Sequence, residues 1–341
     1  MADIELTFTT TPYDRVSPLI TGEVKPQGIT LRFIKMTAPD NFYQQLKFNR
    51  FDVSEMSFSS YLIGRANGWP YRMLPVFHNR GFFYTTLLVR KASGIRGPQD
   101  LKGKRIGTAE YQQSAALWSR GILQHEFGIR PEDMEWYQER TPRFSHSGAT
   151  AFEPPPGLKF NYATKDLASM LVHDELDVAL IQRGAGIDRP KGEVWKSPKV
   201  RTLFSDPKRE SIRYFKKNGI IPAQHITVVR ESILEEHPWV ATSLYEAFEE
   251  AQRLVMERLY EYHGFISYLG GPPSMLLFSR HDLEKQRQVF GDNPYAYGLK
   301  ANANLVDMVQ TYSVEQGLTK KKQPLDELIP QEILLAEERL S

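Results

Sequence analysis

The chain has 341 residues, 41% hydrophobic and 25% charged, with 43 Lys and Arg against 41 Asp and Glu for a net charge of +2. That is an ordinary globular composition with room for about two domains of ~150 residues, and so small a net charge argues against a nucleic-acid or polyanion partner. The absence of cysteine excludes disulfides, thiolate nucleophiles and cysteine-based zinc sites.

The start, MADIELTFTT, goes straight into an alternating strand over 4–9 without the charged, apolar and small-residue regions of an export signal. No apolar run approaches the length that crosses a bilayer, so a cytoplasmic protein without a membrane partner is expected. A second alternating strand covers 29–34, and Asp40 is expected to cap a helix carrying Phe42, Leu46 and Phe48. From Leu46, LKFNRFDVSEMSFSSYL runs out of that helix into a strand that opens with Asp52-Val53 and breaks into small, hydroxyl-bearing residues. Residues 82–90, FFYTTLLVR, read as a strongly apolar strand, after which Gly94, Gly97 and Pro98 punctuate the chain. A strand over 104–107 follows, and Ser114 opens a helix with Ala115, Trp118 and Ile122 on one face, closed by Gly128. The stretch 140–157 is polar and rich in proline and glycine and reads as a mobile surface excursion. From Met170, MLVHDELDVALIQRGAG repeats the earlier plan, with a strand that opens at Asp177-Val178. HITVVRESI, from His225, reads as a strand returning to the first unit. Beyond it the chain turns helical, with a long helix from His237-Pro238 and another from near Asn302 to Gly317.

The repeated motif implies two α/β lobes of similar plan, each offering strand-end loops to a shared crevice, where open parallel sheets bind ligands. Lobe 1 takes 1–92 and 224–341 and lobe 2 takes 93–223, with passages near 88–97 and 218–227 forming a hinge. Asp52 and Asp177 are expected to brace the turn into each repeated strand.

TPYDR, FDVSEMSFSSYL, VRKASGIRGPQDLKGKRIGTAEYQQSAALWSRGIL, PAQHITVVR, HPWVATSLYEAFEEA and NPYAYGL occur in this order over nearly the whole chain. Together they resemble the 4,5-dihydroxyphthalate decarboxylase family. The resemblance implies a type II periplasmic-binding-protein-like clamshell with two hinge crossings and a helical C-terminal part. It also implies a carboxy-lyase that takes one carboxyl group from 4,5-dihydroxyphthalate, or a closely related hydroxyphthalate, and leaves protocatechuate and CO2. The partner is then a small aromatic dicarboxylate, with a homo-oligomer left open. The competing class is a binding protein of the same fold that holds a small aromatic acid without chemistry, because fold alone does not fix function.

Such a decarboxylation needs a general acid aimed at the ring carbon, donors that hold two adjacent carboxylates, and no organic cofactor. The chain has no HExxH, no HxH pair and no close His/Asp cluster, so metal independence is expected as well. His225, just past the second passage, is either the proton donor or a hinge histidine bonded to backbone; the resemblance favours the donor, imidazole titrating nearest neutral pH. His78 is the rival acid, read otherwise as a solvated loop histidine. Arg15, Arg80 and Arg183 stand at strand ends, where a guanidinium can clasp a carboxylate through two parallel bonds. Ser57, Ser59 and Ser60 flank one helix start and Thr108, Tyr111, Gln112 and Ser114 another, each a cradle of free amides for an anion. Tyr13 either stacks on the substrate ring or bonds a phenolic oxygen, or is simply packed. Glu55 and Glu110 stand at strand ends beside these cradles; one of them can take a phenol proton, Glu110 being preferred, and each equally suits an ion pair with a neighbouring arginine.

Overall fold

The structure is a computed structural model that describes residues 3–145, 150, 152–181, 194–269, 276 and 278–339. Alternating burial builds β1 (Ile4–Thr9), which pairs in parallel with β2 (Ile29–Phe33) on one side and with β3 (Val53–Ser57) on the other. Against β3 runs the antiparallel β11 (Ala223–Arg230), and β4 (Tyr71–Arg80) completes the sheet in the order β2-β1-β3-β11-β4. A second sheet contains β5 (Leu88–Arg90), β6 (Arg105–Thr108), β7 (Glu135–Gln138), β8 (Lys159–Tyr162), β9 (Val178–Leu180) and β10 (Val200–Thr202). Its order is β10-β5-β9-β6-β7-β8.

The two sheets share one plan. As β1 lies between parallel β2 and β3, so β6 lies between parallel β7 and β9; as β11 runs against β3, so β5 runs against β9. The two Asp-Val segments therefore occupy equivalent strands and do equivalent work. Asp52 accepts the Thr7 N–H at 2.9 Å on β1, and Asp177 accepts the Arg105 N–H at 3.1 Å and its Nε at 3.0 Å on β6. Each carboxylate fastens the start of its strand to the neighbouring strand.

The structure departs from the sequence reading at several places. Residues 82–90 are not one strand, because the hydroxyls of Thr85 and Thr86 bond back to the carbonyls of Phe82 and Phe83 (2.8 and 2.7 Å) and wind Phe83–Thr86 into a 3₁₀ turn. Only Leu88–Arg90 stays extended, and it already pairs in the second sheet, so the first passage lies at 81–87 rather than 88–97. The Gly81 N–H donates to the Pro222 carbonyl at 2.9 Å, so the two passages touch at the waist. The long strand β4 had no alternation to reveal it, being buried along most of its length, and Pro75 interrupts it. Opposite the proline the ladder slips, with Thr227 beside Leu74 and Ile226 beside Phe77, so the bulge absorbs the missing N–H. The Pro75 carbonyl instead takes the Gly298 N–H at 2.9 Å, which ties the C-terminal segment to the first sheet.

Four helices matter to the edge where the sheets meet: α1 (Ser17–Thr21), α2 (Ala38–Phe48), α3 (Phe58–Ala66) and α4 (Ser114–Phe127). Thr37, not Asp40, caps α2: its hydroxyl donates to the Asp40 carboxylate at 2.5 Å and takes the Asp40 N–H at 3.4 Å. Phe42 and Leu46 are buried, whereas Phe48 is 57% exposed at the helix end. In the stretch 140–157, read as a surface excursion, Arg140, Ser145 and Thr150 are buried instead. No helix among the described residues is long and apolar enough to cross a membrane.

Within α4, Gly121 lies against Tyr312 of the helix Ala303–Glu315, and a Cβ there would overlap the tyrosine ring. Gly121→Ala is therefore expected to destabilise the fold by about 1–3 kcal/mol. The measurement is a urea titration, where the midpoint should drop with the slope unchanged. An unmoved midpoint would mean that Tyr312 gives way freely.

Candidate active site

The C-terminal ends of β1, β3 and β4 and the N-terminal end of the antiparallel β11 share one edge of the first sheet. There His225 is the cross-strand partner of Ser57 on β3 and of His78 on β4. Glu55, two residues before Ser57 and so on the same face of β3, is fully buried. Its carboxylate accepts four hydrogen bonds: from the Thr11 N–H (2.6 Å), the Thr10 hydroxyl (3.2 Å), the Tyr13 hydroxyl (2.7 Å) and His225 Nδ1 (2.5 Å). Burial works to raise the Glu55 carboxyl, but the charge and hydrogen bond of His225, with the Thr11 N–H, hold it well below the usual carboxylate range. Burial and the adjoining Glu55 charge push the Tyr13 phenol up, so it stays a donor.

Held at Nδ1, the His225 ring sets its edge against Phe42 (4.8 Å between centroids). Its Nε2 has no hydrogen-bond partner among the described residues, and the residue keeps 6% exposure. His225 is thus tied to a carboxylate, not to backbone. His78 is no solvated loop histidine: it lies on β4, sealed from solvent, stacked on Tyr13 at 5.4 Å, with Nε2 on the Thr227 hydroxyl at 2.8 Å. Burial draws His78 down to about 3 against the opposing pull of Glu55, so at neutral pH it is an uncharged ring.

Two arginines adjoin this network. The Arg15 guanidinium lies between the rings of Tyr13 and Tyr295, at 4.4 and 4.5 Å from their centroids. Its ionic contact is a 3.4 Å approach of Nη1 to the exposed Asp14, while Nε and Nη2 are buried without a partner. Arg80 donates through Nη2 to the Ala296 carbonyl (2.8 Å) and to Asn302 Oδ1 (2.7 Å), leaving Nε unpartnered. Burial lowers Arg80 to about 10. Asn302 is committed to this loop, its Nδ2 donating to the carbonyls of Ala296 and Gly298 (2.9 and 2.7 Å), and therefore does not cap the following helix through its side chain. The Tyr297 hydroxyl is buried beside the Arg15 guanidinium in a contact too poorly aligned for a good hydrogen bond, and burial raises it to about 12 against the pull of Arg15 and Arg80.

The chain shows kinship with a binding-protein family and with named enzymes. The model of the family described as ABC transporter, phosphonate, periplasmic substrate-binding protein matches residues 17–152. A 4,5-dihydroxyphthalate decarboxylase of Comamonas testosteroni is 29% identical over 326 residues, covering 94% of this chain and 95% of the relative. A second, from Pseudomonas putida, is 31% identical over 210 residues, covering 61% of this chain and 80% of the relative. The chain belongs to the 4,5-dihydroxyphthalate decarboxylase family. Its likeness in fold to a binding protein is visible against the periplasmic aliphatic sulphonate binding protein SsuA from Escherichia coli. The TM-score is 0.54 at 13% identity, over 98% of this chain and 99% of the other.

In this member of the 4,5-dihydroxyphthalate decarboxylase family, the second lobe meets the first through two helix starts. Ser114 Oγ lies 2.9 Å from Ser57 Oγ and accepts the Ser59 N–H at 3.0 Å. The Ser59 and Ser60 hydroxyls are buried without partners. Behind Ser114, Glu110 forms a buried ion pair with Arg140 (2.7 Å) and accepts from Gln112 Nε2 (3.2 Å) and the Ser145 hydroxyl (3.3 Å). Thr150 bonds Gln112 Oε1 at 2.9 Å, and the Thr108 hydroxyl donates to the Glu110 carbonyl at 3.2 Å. Of the two readings of Glu110, a base at the cleft lip or an ion-pair partner, the structure shows the ion pair, with both carboxylate oxygens engaged.

Tyr111 departs from the expected cradle altogether. Its ring packs in the second lobe against Trp136 and Phe152, with the Arg120 guanidinium 3.6 Å from its centroid. Arg183 lies outside the described residues. Among the described residues no three His, Asp or Glu side chains group so as to hold a metal. The residues that sequence reasoning missed are Thr10, Thr11, Arg140, Tyr295, Tyr297 and Asn302. The signals were the hydroxyl run at the end of β1, the strand-end position of Arg140 after β7, and the NPYAYGL motif, which had served only as a mark of resemblance.

Proposed function

We propose that the protein decarboxylates 4,5-dihydroxyphthalate, or a closely related hydroxyphthalate, to 3,4-dihydroxybenzoate and CO2, with His225 as the acid. The observation that carries this reading is the Glu55–His225 pair, a buried carboxylate 2.5 Å from Nδ1 that also takes the hydroxyl of Tyr13, whose ring carries the Arg15 guanidinium. Family membership supports decarboxylase chemistry in general, and the pair supplies the proton donor that this chemistry needs.

Direct loss of CO2 would leave an electron pair in the ring plane, orthogonal to the π system. The hydroxyl para to the departing group pushes electron density to the carbon that bears it, and that carbon takes the proton from His225 Nε2 and becomes tetrahedral. The bond to the carboxylate carbon then breaks, its electron pair restores the aromatic ring, and CO2 leaves uncharged. The imidazole recovers its proton from solvent, so a dianion and one proton yield a monoanion and CO2. Glu55 orients the ring and balances its positive form. Tyr13, Thr10 and Thr11 keep that carboxylate satisfied so that it does not itself take the proton. Arg15 and Arg80 make the surroundings attractive to a doubly charged acid. Glu110 we assign to holding the edge of the second lobe through Arg140, not to proton transfer.

The test is to mix the purified protein with 4,5-dihydroxyphthalate, follow the ultraviolet spectrum and trap the gas. One CO2 and one 3,4-dihydroxybenzoate per substrate are expected. Saturable binding without product would make the protein a receptor of the same fold.

A further inference from the structure

We infer that Arg15 and Tyr297 hold the carboxylate that the substrate keeps, so that a site of unequal halves decides which of two chemically equivalent carboxyl groups is lost. This rests on the decarboxylase reading. 4,5-Dihydroxyphthalate is symmetric, each carboxylate having one hydroxyl para to it, so the molecule itself offers no basis for choice. The protein does. Four buried donors that feel one another's charge lack a well-aligned acceptor: Nε and Nη2 of Arg15, Nε of Arg80 and the Tyr297 hydroxyl. Buried N–H and O–H groups are seldom left unmet, and a carboxylate with two oxygens matches the fork of a guanidinium.

These donors are fixed rather than searching. Arg15 is clasped between two tyrosine faces and cannot swing to solvent without leaving both. Its contact with Asp14 is a poor substitute for an anion, since that carboxylate is 80% exposed and 3.4 Å away. Arg80 is pinned by Ala296 and Asn302, which aims its remaining N–H. The Tyr297 hydroxyl, raised by burial, remains protonated and able to donate.

The carboxylate at this position is the retained one because of what happens to charge along the reaction. The departing group enters the transition state as an anion and leaves as neutral CO2. A guanidinium clasp on it would stabilise the ground state more than the transition state and slow the step. The retained group keeps its full charge throughout, so a clasp there anchors the ring without raising the barrier. The acid stands close by: the ring of Tyr13 carries Arg15 on its face while its hydroxyl reaches Glu55, the partner of His225. One side chain thus spans from the anion donors to the proton donor. A consequence is that the product, still bearing the anchoring group, competes with substrate, whereas catechol lacks the handle.

The experiment measures binding of 3,4-dihydroxybenzoate and of catechol by calorimetry to the wild type, Tyr297→Phe and Arg15→Met, with circular dichroism to verify folding. Tyr297→Phe should weaken 3,4-dihydroxybenzoate by about five-fold and Arg15→Met by about ten-fold or more, with catechol affinity unchanged in both. Equal affinity for 3,4-dihydroxybenzoate in all three proteins, or a parallel loss for catechol, overturns the assignment. Carboxylate-dependent losses in a protein that fails to turn over 4,5-dihydroxyphthalate would leave the subsite standing and remove the decarboxylase reading. Turnover with variants indifferent to the carboxylate would do the reverse.

Discussion

Replacing His225 with asparagine is expected to lower kcat for 4,5-dihydroxyphthalate by about 10²–10⁴-fold, the usual share of a general acid, with little change in KM. Asparagine retains an N–H that can reach Glu55 and a similar size beside Phe42, so the edge of the sheet should survive the change. What disappears is the nitrogen that carries and delivers a proton. The proton moves only in the chemical step, so kcat and kcat/KM should fall together, the signature of an interaction made in the transition state. Steady-state kinetics of the variant decide the matter. Wild-type turnover would take the acid away from His225. It could not then pass easily to His78, which is buried and uncharged, or to Glu110, which is committed to Arg140.

The largest loss of stability is expected from Glu55→Gln. Glu55 ties together four groups, three from the segment after β1 and one from β11, and its removal leaves His225 beside a neutral partner in a buried setting. Breaking a buried, hydrogen-bonded pair by altering one partner costs about 3–5 kcal/mol. The sign of the pH dependence follows from the direction of the shift. The folded state holds the Glu55 carboxyl below its ordinary value of 4.5, so its stabilisation is complete above that value. It is lost as pH falls through the lower folded value, where the native carboxylate finally takes a proton. Chemical denaturation of the two proteins should therefore give a full gap at pH 7 that narrows below about pH 4.5. A gap of the same size at every pH would mean that the carboxylate charge contributes nothing. The same variant should lose activity through His225, whose ring it no longer orients.

How much of this was legible in the sequence depended on local physics. β1 could be read because one face is wet and the other dry; β4 could not, since it is buried along most of its length and Pro75 breaks its ladder. Hydroxyls that bond their own backbone turned the apolar stretch 82–90 into a turn and a stub. The plan of two like lobes was visible because Asp52 and Asp177 do the same task in the same strand position. Tyr13, Arg15, Glu55, Arg80 and His225 could each be placed near a strand end, whereas His78 read as a loop residue because β4 was not legible; the sheet gathers all six at one edge. Which carboxylate would serve His225 was not readable. Glu55 reaches it across 170 residues of sequence, through the register of β11 on β3, and no local pattern encodes that register. Glu110 reads in the sequence as the preferred phenol base because its place beside a helix start suggests a cleft lip, and its partner Arg140 lies in a stretch whose composition suggests surface.

The most direct measurement is a crystal structure of the His225→Asn protein holding unreacted 4,5-dihydroxyphthalate. The account predicts one carboxylate on Arg15 and Tyr297, and the ring carbon that bears the other within about 3–3.5 Å of where Nε2 would stand, the approach that a productive proton transfer needs. A substrate bound with both carboxylate-bearing carbons remote from position 225, or held wholly by the second lobe, would contradict it.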